Sequence, residues 1–183
     1  MSIPAGLTPG TWTFDSSHSD IGFSVRHAGI SKVRGTFRTA QAALQIGATL
    51  AFSKVTATVD TASFDSGDAN RDAHVRGEDF FDVEKFPDMT FVSTAIAGAG
   101  ETYELTGDLT IRGMTRQVVI NTEFNGVAVD PFGATRAGFS GETSISRKDF
   151  GLTWNAALEA GGVLVGDKVT ITIDAAFVAP TAD

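Results

Sequence analysis

The chain has 183 residues, of which 42% are apolar, and its net charge is −8. This apolar content can form a substantial core, which excludes a chain that is disordered throughout. The acidic balance excludes non-specific binding to nucleic acid and argues against adsorption to an anionic membrane surface. There is no cysteine, so disulfides, thiolate nucleophiles and thiolate metal sites are excluded as well.

The first twelve residues contain neither the basic segment nor the apolar stretch of a secretory signal. No run approaches the roughly 18 consecutive apolar residues of a membrane span. The sequence therefore predicts a cytoplasmic protein without an integral membrane segment. We expect residues 1–183 to form a single domain with its core at about 11–178, because no linker, repeat or low-complexity tract divides the chain.

Apolar and polar residues alternate along most of the chain, which predicts strands. The alternation begins at Trp12 and Phe14 and recurs as far as Ile171 and Ile173. Such alternation is typical of an antiparallel sheet with one buried face. The nine candidate strands lie near residues 11–16, 20–27, 33–46, 50–61, 88–97, 102–112, 115–127, 134–147 and 167–178.

The parity of the apolar positions changes within two of these segments. Residues 33–37 are apolar at odd positions and residues 40–46 at even positions, and a second change separates Phe52 from Val55. A slip of one residue turns every following side chain to the other face, so both changes predict β-bulges. Bulges and interior glycines bend strands, and the strand glycines are Gly35, Gly107 and Gly141.

These features predict an all-β protein, a closed antiparallel barrel. A closed barrel of this kind favours an even number of strands. One of the nine candidates is therefore either very short, or two of them are the halves of one bent strand.

One helix is predicted over Ser66–Phe81, where the alternation stops. Asp65 or Ser66 is the expected N-cap, and Asp68 in the first turn interacts favourably with the helix dipole. This helix falls between the fourth and fifth candidate strands.

Catalytic signatures are absent from the sequence: there is no G-x-S-x-G elbow, no Walker loop and no H-E-x-x-H motif. The three histidines are His18, His27 and His74, and no spacing places two of them on one element. Capping and ion-pair roles are therefore favoured over a metal site.

Five segments, in order, resemble the YceI-like family of polyisoprenoid-binding barrel proteins. They are TWTFDSSHSDIGFSVRHAGISKVRGTF at 11–37, NRDAHVRGEDFFDVEKFPDMTFVS at 70–93, GDLTIRGMTRQVVI at 107–120, GFSGETSISRKDFGLTWN at 138–155 and VGDKVTITID at 165–174. Agreement of several blocks in a fixed order is far more specific than one motif. The resemblance covers nearly the whole chain.

The resemblance implies a lipocalin-like barrel of eight antiparallel strands. It also implies non-catalytic binding, storage or transport of a long-chain isoprenoid lipid, such as a polyprenyl pyrophosphate or an isoprenoid quinone, with no other cofactor and no metal. The expected partner is this lipid or another amphiphile, and assembly into a homodimer is left open. Two alternatives are an enzyme that acts on a bound apolar substrate, with His27 as base, and a binding module for fatty-acid derivatives.

Small residues on the inward parity are expected to leave room for the lipid tail, although neighbouring phenylalanine rings could fill that room. Trp154 and Asn155 follow the eighth strand, where packing as a plug is favoured over covering an opening. The residues predicted to contact the tail are Phe23, Val25, Phe37, Val59, Leu109, Ile111, Ile120, Phe124, Phe139, Gly141, Ile145 and Ile171.

Three polar residues of inward parity, His27, Arg116 and Arg147, are predicted to bind the head group. If the strands alternate in direction, all three lie at the barrel end that carries the helix. A cationic rim there could hold a pyrophosphate or polarise a quinone carbonyl. Many acidic residues crowd the same end, so an ion-pair network explains the charges equally well. The helix adds three further cationic or imidazole side chains, Arg71, His74 and Arg76.

Overall fold

The computed structural model describes residues 1–181, which form eleven β-strands, one α-helix and four short 3₁₀ turns. All strands join one sheet through antiparallel pairs. The elements are β1 Gly10–Phe14, β2 Asp20–His27, β3 Ser31–Phe37, β4 Ala40–Ile46, β5 Lys54–Asp60, β6 Phe64–Asp65, α1 Ala69–Arg76, β7 Asp88–Ala99, β8 Thr102–Ile111, β9 Met114–Val129, β10 Thr135–Ser146 and β11 Val165–Val178.

The sheet closes into a barrel with eight positions in its wall. β11 pairs with β10 on one side and with both β2 and β1 on the other. Strands β1 and β2 together occupy one position around the barrel, β3 and β4 occupy the next, and β5 and β6 occupy the third. The two strands at one position pair separately with the two strands at the next: β1 with β4 and β2 with β3, then β4 with β5 and β3 with β6. Strands β7 to β11 supply the other five positions. The predicted eight-stranded antiparallel barrel is confirmed, and the surplus candidate strand is half of a bent pair.

The bend between β1 and β2 is a 3₁₀ turn, Ser16–His18, capped by Asp15. The Asp15 carboxylate accepts a hydrogen bond from the Ser17 backbone N–H at 3.0 Å and lies 2.8 Å from His18 Nδ1. It also forms an ion pair with Arg136, near the start of β10. This ion pair connects the bend between β1 and β2 to β10, which lies on the far side of β11 in the sheet.

Two neighbouring wall positions bend at the same level. β3 is separated from β4 at Arg38–Thr39, and β5 from β6 at residues 61–63. The Arg38 N–H donates to the Ser63 carbonyl, and the Asp60 N–H donates to the Thr39 carbonyl. The first change of parity is therefore a two-residue break between strands, and the predicted bulge at this place is wrong.

The second predicted bulge is also wrong. Leu50–Phe52 forms a 3₁₀ turn that leaves the Phe52 side chain 74% exposed, and the strand begins only at Lys54. An alternation of only a few residues does not distinguish a 3₁₀ turn from a strand. Register shifts occur elsewhere, with Thr94 as the extra residue in β7 and Asn125 as the extra residue in β9.

Helix α1 is shorter than predicted. Its N-cap is Asp68, whose side chain accepts the Arg71 N–H, rather than Asp65 or Ser66. Gly67 has φ of 81°, which interrupts the chain just before the cap, and the backbone becomes extended at Gly77. Within residues 1–181 no helix is long and apolar enough to cross a bilayer.

The interior contains two apolar clusters stacked along the barrel axis. One cluster lies at the end that carries α1, here called the helix end, and includes Phe37, Phe64 and Phe150. The other lies at the opposite end, beneath the N-terminal segment, and includes Leu7, Trp12 and further large side chains. The chain thus plugs the opposite end with its own N-terminal residues.

Asp15→Asn is expected to lower the unfolding free energy by about 1–3 kcal/mol at neutral pH, because the carboxylate accepts several charge-assisted hydrogen bonds. The hydrogen bond from the Ser17 hydroxyl, with further contributions from His18, holds the pKa of Asp15 well below its usual range. A depressed folded-state pKa adds stability above the unfolded pKa of about 4, and this stability is lost as the pH falls. Urea unfolding at a series of pH values should show the variant approaching the wild type in acid. A difference that does not change with pH would contradict this role.

Candidate functional site

The barrel encloses two cavities. The inner cavity, towards the N-terminal plug, has a volume of about 200 Å³. The outer cavity, towards the helix end, has a volume of about 500 Å³. Ile21, Met89 and Ile171 line both, so the two cavities meet at these three side chains. The outer volume lies within the range of about 300–1,000 Å³ typical of ligand pockets.

Small side chains leave the inner cavity open. Ala40, Ala42 and Ala57 lie on adjacent strands β4 and β5 and line it, opposite larger residues such as Phe139 and Phe177. No lysine, arginine or histidine lines this cavity. It can therefore hold an apolar chain and offers no cation for a charged group.

The outer cavity has an aromatic wall. The Phe23 and Phe64 rings are stacked with centroids 4.9 Å apart, and Phe37 meets Phe64 edge-on at 5.7 Å. Phe81 lies 5.8 Å from Phe37 and extends the wall towards the helix end. These rings provide a large apolar surface with little conformational freedom.

The rim of the outer cavity is basic. Three arginines and two histidines line it, and no aspartate or glutamate among residues 1–181 does, although the protein as a whole is acidic. Among residues 1–181, none of these arginines forms an ion pair within 4.0 Å of a carboxylate. The rim residues are Arg26, His27, Arg71, His74 and Arg147.

Arg147 is the most deeply placed of these cations, since only 3% of it is exposed. Its guanidinium donates to four backbone carbonyls, those of Leu152, Trp154, Val165 and Gly166, at 2.6 to 3.2 Å. Burial lowers the pKa of the Arg147 side chain, and the charge of Asp167 opposes this effect. Arg147 therefore links the segment after β10 to the start of β11, and it also lines the outer cavity.

Arg71 and His74 reach the rim from α1. Arg71 donates from Nε to the Ser66 hydroxyl at 2.7 Å and from Nη2 to the Ser66 carbonyl at 3.1 Å. His74 Nε2 lies 2.9 Å from Asp79, and its ring packs edge-on against Trp154 with centroids 4.7 Å apart. Ser66 thus orients Arg71, and the same Ser66 hydroxyl donates to the Asp72 carboxylate.

The barrel wall is incomplete beside α1. Only Thr36 and Phe37 of β3 pair with β6, so residues 31–35 have no neighbouring strand on that side. Val33 on this edge and Asn70 on α1 line the same cavity. The outer cavity therefore lies behind a gap between a strand edge and a helix.

Most residues predicted to contact the tail lie at the two cavities. Phe124 is the exception, because it is buried in the apolar cluster at the end opposite the helix. Its ring packs against Phe139 with centroids 5.4 Å apart. That these side chains contact a lipid stays a prediction. Those at the inner cavity are Val59, Leu109, Ile120, Phe139 and Gly141; those at the outer cavity are Phe23, Val25, Phe37, Ile111 and Ile145; Ile171 lines both.

Gly141 leaves no room of its own for a tail. A Cβ atom added there would lie 3.0 Å from Ile120 Cγ2, so the neighbouring side chain already occupies the space. The same holds at Gly35, where the Phe23 ring lies 2.6 Å from the added atom. Large side chains on the neighbouring strands occupy the space beside these glycines. The expectation that small inward residues leave room for the tail is therefore wrong for Gly35 and Gly141.

The structure brings His27 and Arg147 to the rim but not Arg116. Arg116 is exposed, and its guanidinium donates to the Thr115 carbonyl at 2.8 Å. β9 pairs with β10 only as far as Asn121, so Arg116 lies beyond the two-sided part of the sheet. Its parity is inward, but it lies only two residues from the start of β9, and its side chain is exposed.

The segment after β10 covers the rim. Asn155 binds Val165 twice, through its side-chain oxygen to the Val165 N–H at 3.0 Å and through its amide to the Val165 carbonyl at 2.8 Å. Trp154 lines the outer cavity and lies 5.5 Å from the Phe80 ring. Both residues therefore pack, and Trp154 packs at the cavity mouth.

Several lining residues have no clear sequence signal. Phe64 lies in the two-residue strand β6 and Met89 in β7; the others lie in α1 and in the irregular segments around 78–87 and 150–164, where parity gives no direction. The density of aromatic residues in GEDFFDVEKF is the one feature that could have indicated them. The additional lining residues are Phe64, Asn70, Val75, Phe80, Phe81, Met89, Leu152 and Leu164.

The ion-pair network considered as an alternative forms only in part. At the helix end, Arg38 pairs with Asp65 and Lys85 with Asp82. Arg76 donates to the Phe64 carbonyl instead and does not line the outer cavity. Within residues 1–181, no group of three or more histidine or acidic side chains is arranged to hold a metal ion.

The closed barrel with an apolar, partly open interior defines a lipocalin-like class of protein. The chain belongs to the YceI-like family, since residues 12–177 match the model of the YceI-like domain. It is 40% identical over 156 residues to a UPF0312 protein of Vibrio cholerae strain M66-2, which covers 83% of this chain and 82% of the relative. A UPF0312 protein of Pseudomonas syringae pv. tomato is 39% identical over 140 residues, 75% of this chain and 73% of the relative. The resemblance found in the sequence is confirmed.

Solved structures share the fold. Burkholderia cenocepacia BcnA superposes with a TM-score of 0.78 at 28% identity, covering 89% of this chain and 98% of BcnA. The Campylobacter jejuni YceI protein gives 0.71 at 31% identity, covering 92% and 98%. A polyisoprenoid-binding domain from Saccharophagus degradans gives 0.70 over 92% and 98% of the two chains, and at 13% identity this likeness shows the fold alone.

Arg147→Met is expected to lower the unfolding free energy by about 3 kcal/mol, because several buried carbonyls lose their donor. Arg116→Met is the matched control and should change stability by less than about 0.5 kcal/mol, since Arg116 is exposed. Urea unfolding of both variants measures the difference. Equal stability of the two variants would show that the carbonyl contacts of Arg147 do not hold the segment in place.

Proposed function

We propose that this protein binds, stores or transports a long-chain isoprenoid lipid, with the chain in the two cavities and the head group at the basic rim, and that it does so without turnover. The observation that carries the proposal is an apolar interior of two adjoining cavities together with a basic outer rim, in which none of the three arginines pairs with a carboxylate among residues 1–181. A polyprenyl pyrophosphate and an isoprenoid quinone both have the required chemistry, a long apolar chain and an oxygen-rich head.

The cavities suit the chain. They meet at Ile21, Met89 and Ile171, so a tail that enters the outer cavity can continue into the inner one. Each methylene removed from water contributes about 0.8 kcal/mol, and part of this gain is offset by the ordering of the chain. Affinity should therefore depend on chain length up to the depth of the inner cavity.

The rim suits the head. Arg71 and Arg147 are oriented by neutral oxygens and keep their charge, and His27 lies beside them at the cavity lining. Hydrogen bonds between guanidinium groups and phosphate oxygens are among the stronger ones in proteins. A pyrophosphate group would supply the anionic partner that these side chains otherwise lack.

A polyisoprenoid-binding domain from Saccharophagus degradans has the same fold, so an isoprenoid is the first ligand to test. Fatty-acid derivatives are the second candidate, because the inner cavity is apolar and does not distinguish branched from straight chains. Displacement of a bound prenyl lipid by a series of fatty acids measures the preference directly.

Binding without turnover is supported by the environment of His27. In residues 1–181 no carboxylate forms a hydrogen bond with its ring, whereas a histidine that acts as general base is usually held in one orientation by such a partner. Release of phosphate or formation of an isomer from a prenyl pyrophosphate, lost in His27→Ala, would favour the enzyme alternative instead.

Ile171→Trp is expected to shorten the longest prenyl chain that binds, because the larger ring obstructs the junction of the cavities. Thr172→Trp is the matched control, since Thr172 is the next residue on β11 and is exposed. Native mass spectrometry with prenyl pyrophosphates of graded length measures the preference, and thermal unfolding checks that the variant folds. If the folded Ile171→Trp protein keeps the wild-type length preference, the chain does not cross this junction.

Arg71→Gln is expected to weaken binding of a prenyl pyrophosphate about tenfold, the value of one charge-assisted hydrogen bond, and to leave the prenol of the same chain unaffected. Arg38→Gln is the control, because Arg38 lies at the same end but does not line the cavity. Titration calorimetry with both ligands gives the comparison. Equal losses for pyrophosphate and prenol would mean that Arg71 supports the fold rather than the head group.

A further inference from the structure

The charges of this acidic protein are unevenly distributed. No aspartate or glutamate occurs between Asp20 and Asp60, whereas this stretch contains five lysines and arginines. Strands β2 and β3 lie within it and form a hairpin that ends at residues 28–30. The net charge of −8 therefore does not describe the surface of this hairpin.

Three cations lie together on the outer face of the hairpin. Arg26 is directly opposite Lys32, and Arg34 is two residues further along β3 opposite Ser24. All three cations are exposed, and within residues 1–181 none of them forms an ion pair. Like charges directly opposite each other on neighbouring strands are destabilising, so an anionic surface against this face would remove an unfavourable interaction.

An apolar side chain caps the same hairpin. Ile30 is 86% exposed, at the end of a tight turn in which the Ile30 N–H donates to the His27 carbonyl. We call Arg26, Ile30, Lys32 and Arg34 the basic tip. An exposed apolar residue flanked by lysine and arginine is the combination found in segments that lie in the interface of anionic membranes.

The opposite end of the barrel offers a comparison. Phe132 in the β9–β10 turn is 95% exposed, but the nearby Arg136 is neutralised by Asp130 and Asp15. Asp130 also accepts the Phe132 N–H at 2.9 Å. Exposed apolar turn residues therefore occur at both ends, and of Ile30 and Phe132 only Ile30 is accompanied by unpaired cations among residues 1–181.

The basic tip adjoins the mouth of the outer cavity. Arg26 and its neighbour His27 line that cavity, and Val33 lines it from the unpaired edge of β3. A surface that contacts the tip would thus lie beside the gap between β3 and α1. Lipid could move between that surface and the cavity without crossing a long stretch of water.

We propose that the basic tip docks this protein on an anionic lipid membrane surface. Arg26, Lys32 and Arg34 contact the lipid phosphates, and Ile30 enters the interface. Attraction by these cations acts within the Debye length of about 8 Å, so the negative charges elsewhere on the protein oppose it only weakly. A membrane fits better than an acidic protein because Ile30 is a single apolar tip rather than a patch. The exchange of lipid at this surface rests on the function proposed above, but the docking does not.

The edge of β3 gives the cations another role that must be tested. Lysine and arginine on an unpaired strand edge prevent pairing with a second copy of the chain. Lys32→Glu with Arg34→Glu reverses the charge and keeps the edge protected, so this variant separates docking from edge protection. Its oligomeric state, from light scattering, should match the wild type.

Flotation with vesicles tests the docking directly. The wild type should bind vesicles of phosphatidylglycerol and phosphatidylcholine in equal parts, more weakly as salt is added, and should not bind phosphatidylcholine alone. Each basic residue near the surface contributes about 1 kcal/mol, so Lys32→Glu with Arg34→Glu should weaken binding at least about 30-fold.

Lys32→Glu alone should weaken vesicle binding at least about fivefold, whereas the exposed Lys54→Glu, with the same change in net charge, should weaken it little. Ile30→Ser should weaken binding about tenfold and Phe132→Ser should not.

Several results would overturn the docking proposal. They are a wild type that does not bind the anionic vesicles, equal losses in Lys32→Glu and Lys54→Glu, and a Lys32→Glu, Arg34→Glu variant that self-associates. Binding to soluble polyglutamate in place of vesicles would assign the basic tip to an acidic protein.

Native mass spectrometry of the same variants with a prenyl pyrophosphate distinguishes the docking proposal from the proposed lipid-binding function. Loss of vesicle binding with retained lipid is expected, and absence of lipid from every variant would overturn the proposed function alone.

Discussion

Three neighbouring positions of the barrel wall bend at one level, and the rest of the structure depends on this shared bend. The chain turns at Asp15, at Arg38–Thr39 and at residues 61–63, and backbone hydrogen bonds join the second bend to the third. Above the bend, the β2–β3 hairpin continues from β11 and leaves β3 paired with only two residues of β6. The gap that results is the place where the outer cavity meets α1. Closure of the sheet and access to its interior are therefore consequences of the same geometry.

At the helix end, Arg71 and Arg147 donate to neutral oxygens and form no ion pair among residues 1–181. Arg147 is buried and bound by carbonyls, Arg71 is bound by Ser66, and the nearby carboxylates of Asp65 and Asp82 pair with other residues. A buried charge without a counter-ion is costly, although hydrogen bonds to peptide oxygens offset part of the cost. Two arginines at the outer cavity are thus held by neutral oxygens in a protein whose net charge is −8.

The glycines and phenylalanines of the wall show how the interior volume is set. Phe23 lies over Gly35 and Ile120 lies beside Gly141, so each small residue is covered by a large neighbour on the next strand. Open space instead remains where alanines lie on adjacent strands, as with Ala42 opposite Ala57. Cavity volume thus depends on which residues meet across strands. Composition along one strand does not reveal it.

The sequence by itself determined the antiparallel barrel, most strand boundaries and the family. Alternation of period two reports which side of a strand is buried, and that holds for residues such as Phe23, Leu109 and Ile171, whose strands have partners on both sides. The tertiary structure alone decided that Arg116 lies outside, because it lies near the exposed start of β9, and that Phe80, Trp154 and Leu164 line the mouth, because irregular segments have no parity. It also decided that none of the three rim arginines pairs with a carboxylate among residues 1–181. Those outcomes depend on contacts between residues distant in the chain, and a local pattern carries no information about such contacts.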